Sequence, residues 1–415
     1  MNKNNNKINA SRFQCWICES TIEPFMTFGR MPIANNFLSE KDFNDEYFFE
    51  MEPAFCNTCK TFQLVRQPER QQMFNENYAF FSGTSKFMGK HFEEFSKKVI
   101  SYLDEDPFVV EIGSNDGIML SNFSNKNIKH LGVEPSSNVA QVAKAKGINV
   151  TINFFDKDLA KEIVRDYGHA SAFLAANVMC HIPYIKSIIE GIEILLRTNG
   201  VVVFEEPYLG EVIEKTTYDQ IYDEHTFLFS AHSVEYLFGQ YDMELINLEP
   251  QVTHGGSMRY TIARKGTRTI NKIVDVILKN EEDLGLNDPK TFYKFKQNCE
   301  NYRTKLVTLL EEMRKDGKSV SGYAATSKST TITNYCGIST EHINCIFDTT
   351  PIKQGKFSPG THIPVRPHSE FKNNYPDYAL LFGYNHSEEI FAKEKDFIDQ
   401  GGKWIVYVPE IKVIE

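Results

Sequence analysis

Residues 108–117, FVVEIGSNDG, decide the fold. Four of the first five residues are apolar and two of them are β-branched valines, which is typical of a buried strand. The chain then breaks at Gly113 and reaches a second glycine, Gly117, before apolar residues resume. A strand, a glycine turn and a helix present backbone N–H groups at the carboxyl edge of an α/β sheet, so we expect a ligand site there. The spacing is neither G-x-G-x-x-G nor a P-loop, because no Gly-Lys-Ser/Thr follows.

A carboxylate follows at the tip of the predicted second strand, residues 128–133. Glu134 lies roughly 20 positions after Gly113, where a carboxylate can hydrogen-bond both hydroxyls of a ribose. This combination resembles the S-adenosylmethionine site of class I methyltransferases, and a strand–turn–helix with a solvated glutamate is the alternative. Phe154 and Phe155 could flank an adenine ring or belong to the core. The residues predicted to hold the cofactor are Glu111, Gly113, Asn115, Asp116, Gly117, Glu134, Pro135, Phe154, Phe155, Asn177 and His181.

Composition excludes several classes of protein. The 415 residues suggest two or three domains, and the net charge of −10 argues against a nucleic-acid partner. No run approaches the ~20 apolar residues of a membrane span, so no membrane association is expected. The N-terminus, MNKNNNKINAS, lacks the apolar segment of a secretory signal. We therefore expect a cytoplasmic protein with reduced thiols.

Four of the eight cysteines form two pairs, Cys15-x-x-Cys18 and Cys56-x-x-Cys59. In a reducing compartment, paired C-x-x-C turns predict one tetrahedral zinc site made of four thiolates. Four thiolates leave no open position, so the predicted role of the zinc ion is structural. Unrelated cysteine turns and a nucleic-acid zinc ribbon are the alternatives, and the acidic charge weighs against the ribbon. Iron could occupy the same thiolates.

The pattern of elements predicts an α/β protein with a class I methyltransferase Rossmann-like core. A zinc-binding module occupies residues 1–75 and the core residues 76–265, where predicted strands alternate with helices. Residues 266–317 are rich in Lys, Glu and Leu and predict a helical linker. The alternation restarts from residue 318, which predicts a C-terminal Rossmann-like α/β domain over residues 318–415.

Residues 218–227, YDQIYDEHTF, hold an unusual density of chemistry-bearing side chains. His225 can serve as a general base because the pKa of an imidazole lies near neutrality. Tyr222 could donate a hydrogen bond to a developing oxyanion, and Glu224 or Asp223 could orient the imidazole. The alternative is a solvated acidic helix.

In order along nearly the whole chain, these motifs resemble the nucleotide-sugar C-methyltransferase family, whose members make branched-chain deoxysugars. The likeness includes the four cysteines, the loop at 78–85, EIGSNDG, GVEPS and residues 177–181. It continues with YDEH at 222–225, HGGSMR at 254–259, and the KQG and PGTHIP segments between 353 and 364. Each motif alone is weak, whereas the ordered set is specific.

The resemblance implies three domains with a sugar nucleotide between them and methyl transfer to carbon 3 of a 4-keto-deoxysugar. His225 would remove the proton α to the ketone, Tyr222 would stabilise the enolate, and Glu224 would assist His225. The residues expected to contact the substrate are Tyr78, Ser82, Thr84, Ser85, Glu205, Tyr208, His254, Ser257, Arg259, Lys328 and Lys353. Phe80 replaces a tyrosine expected in the first loop, which leaves the sugar and the nucleotide base open.

Three other functions fit parts of the sequence. A sugar O- or N-methyltransferase would use the same scaffold without an adjacent ketone. A zinc-ribbon binding protein with a vestigial core would not bind the cofactor, and a protein or RNA methyltransferase fits the acidic charge poorly. We expect a nucleotide-sugar substrate and a monomer or weak homo-oligomer.

Overall fold

A lobe of short strands carries the two cysteine pairs. In the computed structural model, which describes residues 13–73 and 86–415, this lobe consists of two-stranded pairings and one short helix. Its elements are β1 (Phe13–Gln14), β2 (Thr21–Ile22), β3 (Arg30–Pro32), β4 (Phe48–Glu50), β5 (Pro53–Phe55), β6 (Phe62–Leu64) and α1 (Arg70–Met73). Every strand of the lobe has only two or three residues, so a metal ion held by the cysteines would add to the stability of the lobe.

The central sheet has seven strands flanked by helices. Its elements in chain order are α2 (Lys86–Ile100), β7 (Phe108–Ile112), α3 (Ser121–Ser124), β8 (Lys129–Val133), α4 (Ser137–Ala145), β9 (Val150–Thr151), α5 (Lys157–Tyr167), β10 (Ala170–Ala176), α6 (Ile185–Leu195), β11 (Leu196–Pro207), α7 (Leu209–Lys215), β12 (Phe227–Leu228), α8 (Ala231–Gly239), β13 (Met243–Gln251) and β14 (Ser257–Arg264). The sheet order is β13-β14-β11-β10-β7-β8-β9, and β14 runs opposite to the other six strands. All five residues of β7 are buried, which agrees with the buried strand predicted from residues 108–112. The strand order reverses between β7 and β10, where α/β sheets bind ligands.

Two elements are shorter than the sequence predicts. The apolar residues of INVTINFF, residues 148–155, predict a third strand over the whole run, but the strand is only Val150–Thr151. The helix after the glycine turn begins at Ser121 and lasts four residues. Residues 118–120 form turns between Gly117 and α3, and Met119 and Leu120 are fully buried there. These apolar side chains fill the core from a turn rather than from a helical face.

Two linker helices lead to a second α/β sheet. The elements are α9 (Ile273–Leu284), α10 (Pro289–Lys315), β15 (Val320–Tyr323), α11 (Ser327–Cys336), β16 (Ile346–Asp348), β17 (Val365–Pro367), α12 (His368–Asn373), β18 (Tyr378–Leu381), α13 (Ser387–Lys393), α14 (Lys395–Asp399), β19 (Lys403–Val406) and β20 (Lys412–Ile414). The sheet order is β17-β16-β15-β18-β19-β20, with β20 antiparallel to β19. This sheet therefore has its own switch point, between β15 and β18.

The N-terminal lobe pairs with both larger units. Strand β6 pairs antiparallel with β12 of the central unit, and Leu38 bridges Phe357 of the C-terminal unit. Over the described ranges 13–73 and 86–415, no helix is both long and apolar enough to cross a membrane.

Candidate active site

An open cavity of about 1030 Å³ lies where the carboxyl ends of the two sheets approach each other. Gly113, Glu134 and Asn177, which follow β7, β8 and β10, line one part of the cavity. Ala324 and Asp348, from the ends of β15 and β16, line the other part. Parallel strands direct their carboxyl-terminal loops to one edge, so each sheet contributes the loops of its switch point.

The first part of the cavity fits a nucleoside. Glu134 Oε2 accepts a hydrogen bond from the backbone N–H of Asn115 at 2.9 Å, and Oε1 accepts one from Ser136 at 2.8 Å. Burial raises the pKa of Glu134 above its usual value, and these two donors oppose the rise. A carboxylate offers about four acceptor positions, so Glu134 can still accept from a ribose hydroxyl beside these donors. Gly113 has φ +58°, and a Cβ there would lie 2.3 Å from a methyl carbon of Val178, so the loop is closed to any side chain.

Eight of the eleven predicted cofactor residues line the cavity. They are Gly113, Asn115, Glu134, Pro135, Phe154, Phe155, Asn177 and His181. Phe155 also packs against Phe173 in the core at 5.2 Å between ring centroids, whereas the guanidinium of Arg70 lies 4.2 Å from the ring centroid of Phe154. Phe155 therefore belongs to the core as well as to the cavity wall, and the contact of either ring with an adenine stays a prediction.

The other three predicted cofactor residues lie behind the cavity wall. Glu111 is buried next to Glu134 and Asp116, and burial together with these carboxylates raises its pKa well above the usual range. Asp116 accepts from Lys146 at 3.1 Å on the far side of the loop. A Cβ on Gly117 would lie 2.9 Å from Ile148, so this glycine permits close packing of the turn.

The segment at residues 218–227 is buried rather than a solvated acidic helix. It begins with one 3₁₀ turn, Tyr218–Gln220, and ends in β12, which pairs with β6 of the zinc lobe. Asp219, Asp223 and Glu224 are each less than 5% exposed. A solvated helix was the alternative because three carboxylates usually need solvent. Here each carboxylate instead accepts a hydrogen bond from a distant part of the chain.

His225 is oriented by two hydrogen bonds. Its Nδ1 donates to the backbone carbonyl of Gln220 at 2.6 Å, and its Nε2 lies 2.8 Å from the hydroxyl of Tyr222. A carbonyl only accepts, so Nδ1 carries the proton and Nε2 of the neutral ring accepts from the tyrosine. Burial holds the pKa of His225 well below its usual value, and His181, whose ring stacks 5.3 Å away, lowers it further. The imidazole is therefore neutral near pH 7, as a general base requires.

The partner of Glu224 is an asparagine of the zinc lobe. Glu224 Oε1 accepts from the side-chain amide of Asn35 at 2.7 Å, and the preceding Asp223 accepts from the backbone of Ala34 at 2.9 Å. Burial raises the pKa of Glu224 to about 7, while the Asn35 bond and the charge of Lys353 oppose the rise. The group that orients the His225 ring is thus the Gln220 carbonyl, and Glu224 lines the cavity beside the histidine.

Two further imidazoles border the cavity. His254 Nε2 accepts from the side chain of Asn177 at 3.1 Å, and both residues have positive φ, +54° and +55°. Burial lowers the pKa of His254 to about 4 and that of His181 to about 3, so both rings are neutral near pH 7. Strained backbone at two non-glycine positions of one cavity is typical of a functional site.

The second part of the cavity carries two lysines, of which Lys328 is buried and Lys353 is partly buried. Lys328, at the first turn of α11, lies 3.4 Å from Asn385 Oδ1 and 4.9 Å from the ring centroid of Tyr384. Lys353 donates to the carbonyl of Ala325 at 2.8 Å. Burial lowers the pKa of both lysines, and the carboxylate of Asp219 counteracts this at Lys328. Buried cations at a helix N-terminus suit a phosphate group.

Four predicted substrate residues lie in the wall instead of facing the cavity. Glu205 accepts from Thr253 and His91 through one oxygen and from the guanidinium of Arg259, at 2.9 Å, through the other. Tyr208 donates to Glu281 at 2.9 Å. The hydroxyl of Ser257, the fourth residue, donates to the carbonyl of Thr253.

The remaining substrate predictions divide into two groups. His254, Lys328 and Lys353 line the cavity. Tyr78, Ser82, Thr84 and Ser85 lie outside the described residues, as does Phe80.

The four cysteines of the N-terminal lobe form one cluster. The Sγ atoms of Cys15 and Cys59 are 3.4 Å apart, as are those of Cys18 and Cys56, and all four lie within 4.8 Å of one another. None of them forms a disulfide. Four sulfurs at this separation fit the tetrahedral shell of one zinc ion with Zn–S bonds of about 2.3 Å. This agrees with the zinc site predicted from the two C-x-x-C pairs.

Sequence reasoning missed several cavity residues that come from distant segments. They are Asn35, Arg70, Asn153, Gln220, Asp348, His368, Asn385 and His386. Asp348 had a usable signal, because it ends the second strand of the second α/β unit as Glu134 does in the first. Its oxygens accept from the backbone of Ala325 and Thr350, both at 2.7 Å. For Asn35 no local pattern gave a signal.

Family comparisons follow the same three-part division. Three family models match consecutive parts of the chain: a zinc binding domain at residues 15–74, a methyltransferase domain at 81–248 and a C-methyltransferase C-terminal domain at 252–409. The C-methyltransferase NovU of Streptomyces niveus is 30% identical over 393 residues, which cover 94% of this chain and 93% of that protein.

Two solved methyltransferase structures match part of the chain. A SAM-dependent methyltransferase from Anabaena variabilis ATCC 29413 aligns with a TM-score of 0.34 and 16% identity, over 41% of this chain and 83% of its own. The magnesium protoporphyrin IX methyltransferase ChlM from Synechocystis PCC 6803, solved with bound SAM, aligns with a TM-score of 0.33 and 11% identity, over 43% of this chain and 79% of its own.

The glycine turn, the strand-end Glu134 and the matching methyltransferase domain define a protein that uses S-adenosylmethionine on a class I core and binds zinc in its N-terminal lobe. It is an enzyme, a SAM-dependent methyltransferase. With 30% identity to NovU over nearly the full length of both chains, the protein belongs to the C-methyltransferase family.

Proposed function

We propose that this enzyme methylates carbon 3 of a 4-keto-deoxysugar nucleotide. The observation that carries the proposal is the neutral His225, which lines the cavity between its glycine-loop part and its lysine part. A carbon atom becomes a nucleophile only after a proton α to a carbonyl is removed, and the Nε2 lone pair of a neutral imidazole can take such a proton once the Tyr222 hydroxyl turns away from it. The match to a C-methyltransferase supports the same carbon chemistry.

The residues around His225 suit an enolate. Tyr222 donates to Nε2 in the resting enzyme, and its hydroxyl could turn to the ketone oxygen once a substrate is bound. The Nδ1–H bond to the Gln220 carbonyl keeps the ring in the tautomer that accepts a proton at Nε2 and helps to hold the imidazolium that results. Glu224, as a carboxylate, would add a favourable charge near that imidazolium.

Gly113, Asn115 and Glu134 would hold S-adenosylmethionine through backbone donors and the ribose hydroxyls. When bound, the cofactor supplies an electrophilic methyl group next to the substrate carbon. His225 and the two lysines would fix the sugar nucleotide so that its nucleophilic carbon meets that methyl group, and such positioning can contribute a large part of the rate.

The second part of the cavity supports a nucleotide on the substrate. Lys328 lies at the first turn of α11, and the side chain of Lys353 reaches the carbonyl of Ala325 just before that helix, so a diphosphate at the helix N-terminus would meet both cations. Asp348, at the end of β16, is placed as the ribose-binding acid of a nucleotide fold. A sugar diphosphate spanning from His225 to these residues would fill the cavity.

Deuterium exchange tests the proposal. In D₂O and without S-adenosylmethionine, the enzyme should introduce deuterium at carbon 3 of a thymidine-diphosphate 4-keto-deoxysugar. Methyl transfer from labelled cofactor to the same carbon should follow. Transfer to a hydroxyl or amine without exchange would contradict the proposal and indicate an O- or N-methyltransferase. Calorimetric titration with thymidine diphosphate and guanosine diphosphate would then identify the base.

A further inference from the structure

One loop of the zinc lobe enters the active-site cavity. Asn35 follows β3 and lines the cavity together with Glu224 and Ser327. Ala34 before it and Phe37 after it are buried. The loop is thus fixed on both sides of the one polar side chain that reaches the cavity.

Both ends of the Asn35 amide are engaged. Its Nδ2 donates to Glu224 Oε1 at 2.7 Å, and its Oδ1 accepts from the hydroxyl of Ser327 at 3.0 Å. A carboxylate only accepts, so the amide nitrogen must face Glu224 and the amide oxygen must face Ser327. One side chain therefore connects residues 218–227 of the central unit, here called the catalytic segment because they carry the proposed base His225, with the first turn of α11.

The backbone next to Asn35 makes the same two connections. The N–H of Ala34 donates to Asp223 Oδ1 at 2.9 Å, and its carbonyl accepts from the Thr330 hydroxyl at 2.9 Å. The loop that carries Asn35 is therefore bonded through its backbone both to the segment of Asp223 and to α11, independently of the Asn35 side chain. An amide positioned in this way pays little further entropy to bind a carboxylate.

We propose that Asn35 is a positioning residue through which the zinc lobe orients Glu224 and links it to the first turn of α11. This inference rests on the proposed function, in which α11 receives the phosphate of the substrate. Binding there would engage Ser327 or its neighbours and would reach Glu224 through the amide. The zinc lobe then contributes to the active site itself as well as to the stability of the fold.

The charged surroundings of Glu224 set the direction of the effect. The other titratable groups facing it are Asp223 and His225 on its own segment, Cys180 from the loop after β10 and Lys353 from the C-terminal unit. Burial disfavours the carboxylate, whereas the Asn35 amide and Lys353 favour it. Removing the amide should raise the pKa of Glu224.

The first test needs no substrate. The carboxyl carbon of Glu224 would be followed by NMR in protein labelled with ¹³C-glutamate, and its signal would be assigned with Glu224→Gln. In Asn35→Ala the titration midpoint should rise by about one pH unit, the size of one hydrogen bond to a charged group. The matched control is Asn36→Ala, because Asn36 is the next residue and is exposed. Equal midpoints in the two variants would overturn the proposal.

The second test uses turnover. With zinc content and S-adenosylhomocysteine affinity unchanged, Asn35→Ala should lower kcat by about 10- to 100-fold and move the acidic limb of the pH profile upward. Asn35→Asp should lower kcat further, because it places a second carboxylate opposite Glu224. A loss of kcat as large in Asn36→Ala, or an unmoved pH limb in Asn35→Ala, would refute the assignment. If the wild-type enzyme exchanges no proton at carbon 3, the proposed function fails, and the NMR midpoint alone decides on Asn35.

Discussion

The protonation state of His225 follows from one backbone carbonyl. Because Gln220 accepts from Nδ1 and burial keeps the pKa low, the ring presents an unprotonated Nε2 to the cavity. His225→Asn should lower proton exchange and methyl transfer by at least about 100-fold, the contribution of a positioned general base. His169→Asn, at an exposed histidine outside the cavity, is the control.

Affinity for S-adenosylhomocysteine separates catalysis from folding in this experiment. His225→Asn should bind it as the wild type does, because Gly113, Asn115 and Glu134 follow strands of the central sheet, whereas His225 lies in the segment that leads into β12. Loss of both turnover and cofactor binding would assign His225 a structural role.

Glu224 should govern the acidic side of the pH profile. Its pKa is raised to about 7 by burial, so the carboxylate that supports the imidazolium is present above pH 7 and is lost by protonation as the pH falls. Activity should therefore rise with pH through about 7. Glu224→Gln should remove that limb and lower kcat by about 10- to 100-fold. An unchanged limb in initial-rate measurements from pH 5 to 9 would show that another group titrates there.

At the scale of single elements, the strand and the glycine turn could be predicted because their signal is local. Four apolar residues before Gly113 specify a buried strand whatever surrounds them. The acidic segment around Glu224 could not be predicted in the same way. Its charge suggests solvent, but its partners Asn35 and Ala34 lie about 190 residues away in sequence.

Glu205 and Arg259 show the same limit for the site. Both follow patterns typical of ligand-binding residues, a carboxylate at a strand end and an arginine after two glycines. They lie on adjacent strands, β11 and β14, in paired positions, and they bind each other. A sequence without its strand register cannot distinguish a polar group that faces a ligand from one that faces its neighbour.

The glycine turn allows a test of close approach. In Gly113→Ala the new Cβ would lie 2.3 Å from a methyl carbon of Val178. Gly147→Ala is the control, because Gly147 also has a positive φ, +81°, but a Cβ there would meet open space. Both variants carry the backbone strain of a positive φ, so their difference measures the clash. Gly113→Ala should bind S-adenosylhomocysteine at least about tenfold more weakly, since overpacking costs about 1–3 kcal/mol. Calorimetry that gives equal affinities for both variants would contradict the tight turn.

At the scale of the whole molecule, the two sheets repeat one arrangement. Glu134 and Asp348 each end the second strand of their unit, and each binds the first loop and the backbone two residues further on. The sequence predicted two Rossmann-like units. The switch points of both units border one cavity. This arrangement depends on packing between distant segments, the linker helices and the zinc lobe, and such packing leaves no periodic pattern in the sequence from which it could be predicted.

Two glutamines of the zinc lobe, Gln63 and Gln67, contact the catalytic segment or the strand that follows it. The amide of Gln63 donates to Cys15 Sγ at 3.0 Å, and Gln63 pairs with Phe227 in the β6–β12 ladder, two residues after His225. Gln67 donates to the carbonyls of Asp223 and His181. A displacement of the cysteines should therefore change the position of the catalytic segment more than that of the glycine turn at residues 113–117.

Zinc loss should consequently separate turnover from cofactor binding. Cys18→Ser should release the metal and lower methyl transfer by roughly 100-fold, which a displacement of about 1 Å in the catalytic segment can cause. Affinity for S-adenosylhomocysteine should fall far less, because Gly113 and Glu134 are held by the central sheet. Cys345→Ser is the control, because Cys345 is buried outside the cluster. Metal analysis, calorimetry with S-adenosylhomocysteine and initial rates would be measured on both variants.

Equal losses of turnover and cofactor affinity in Cys18→Ser would mean that zinc supports only the overall fold. Unchanged turnover in metal-free protein would mean that the zinc lobe positions nothing in the active site.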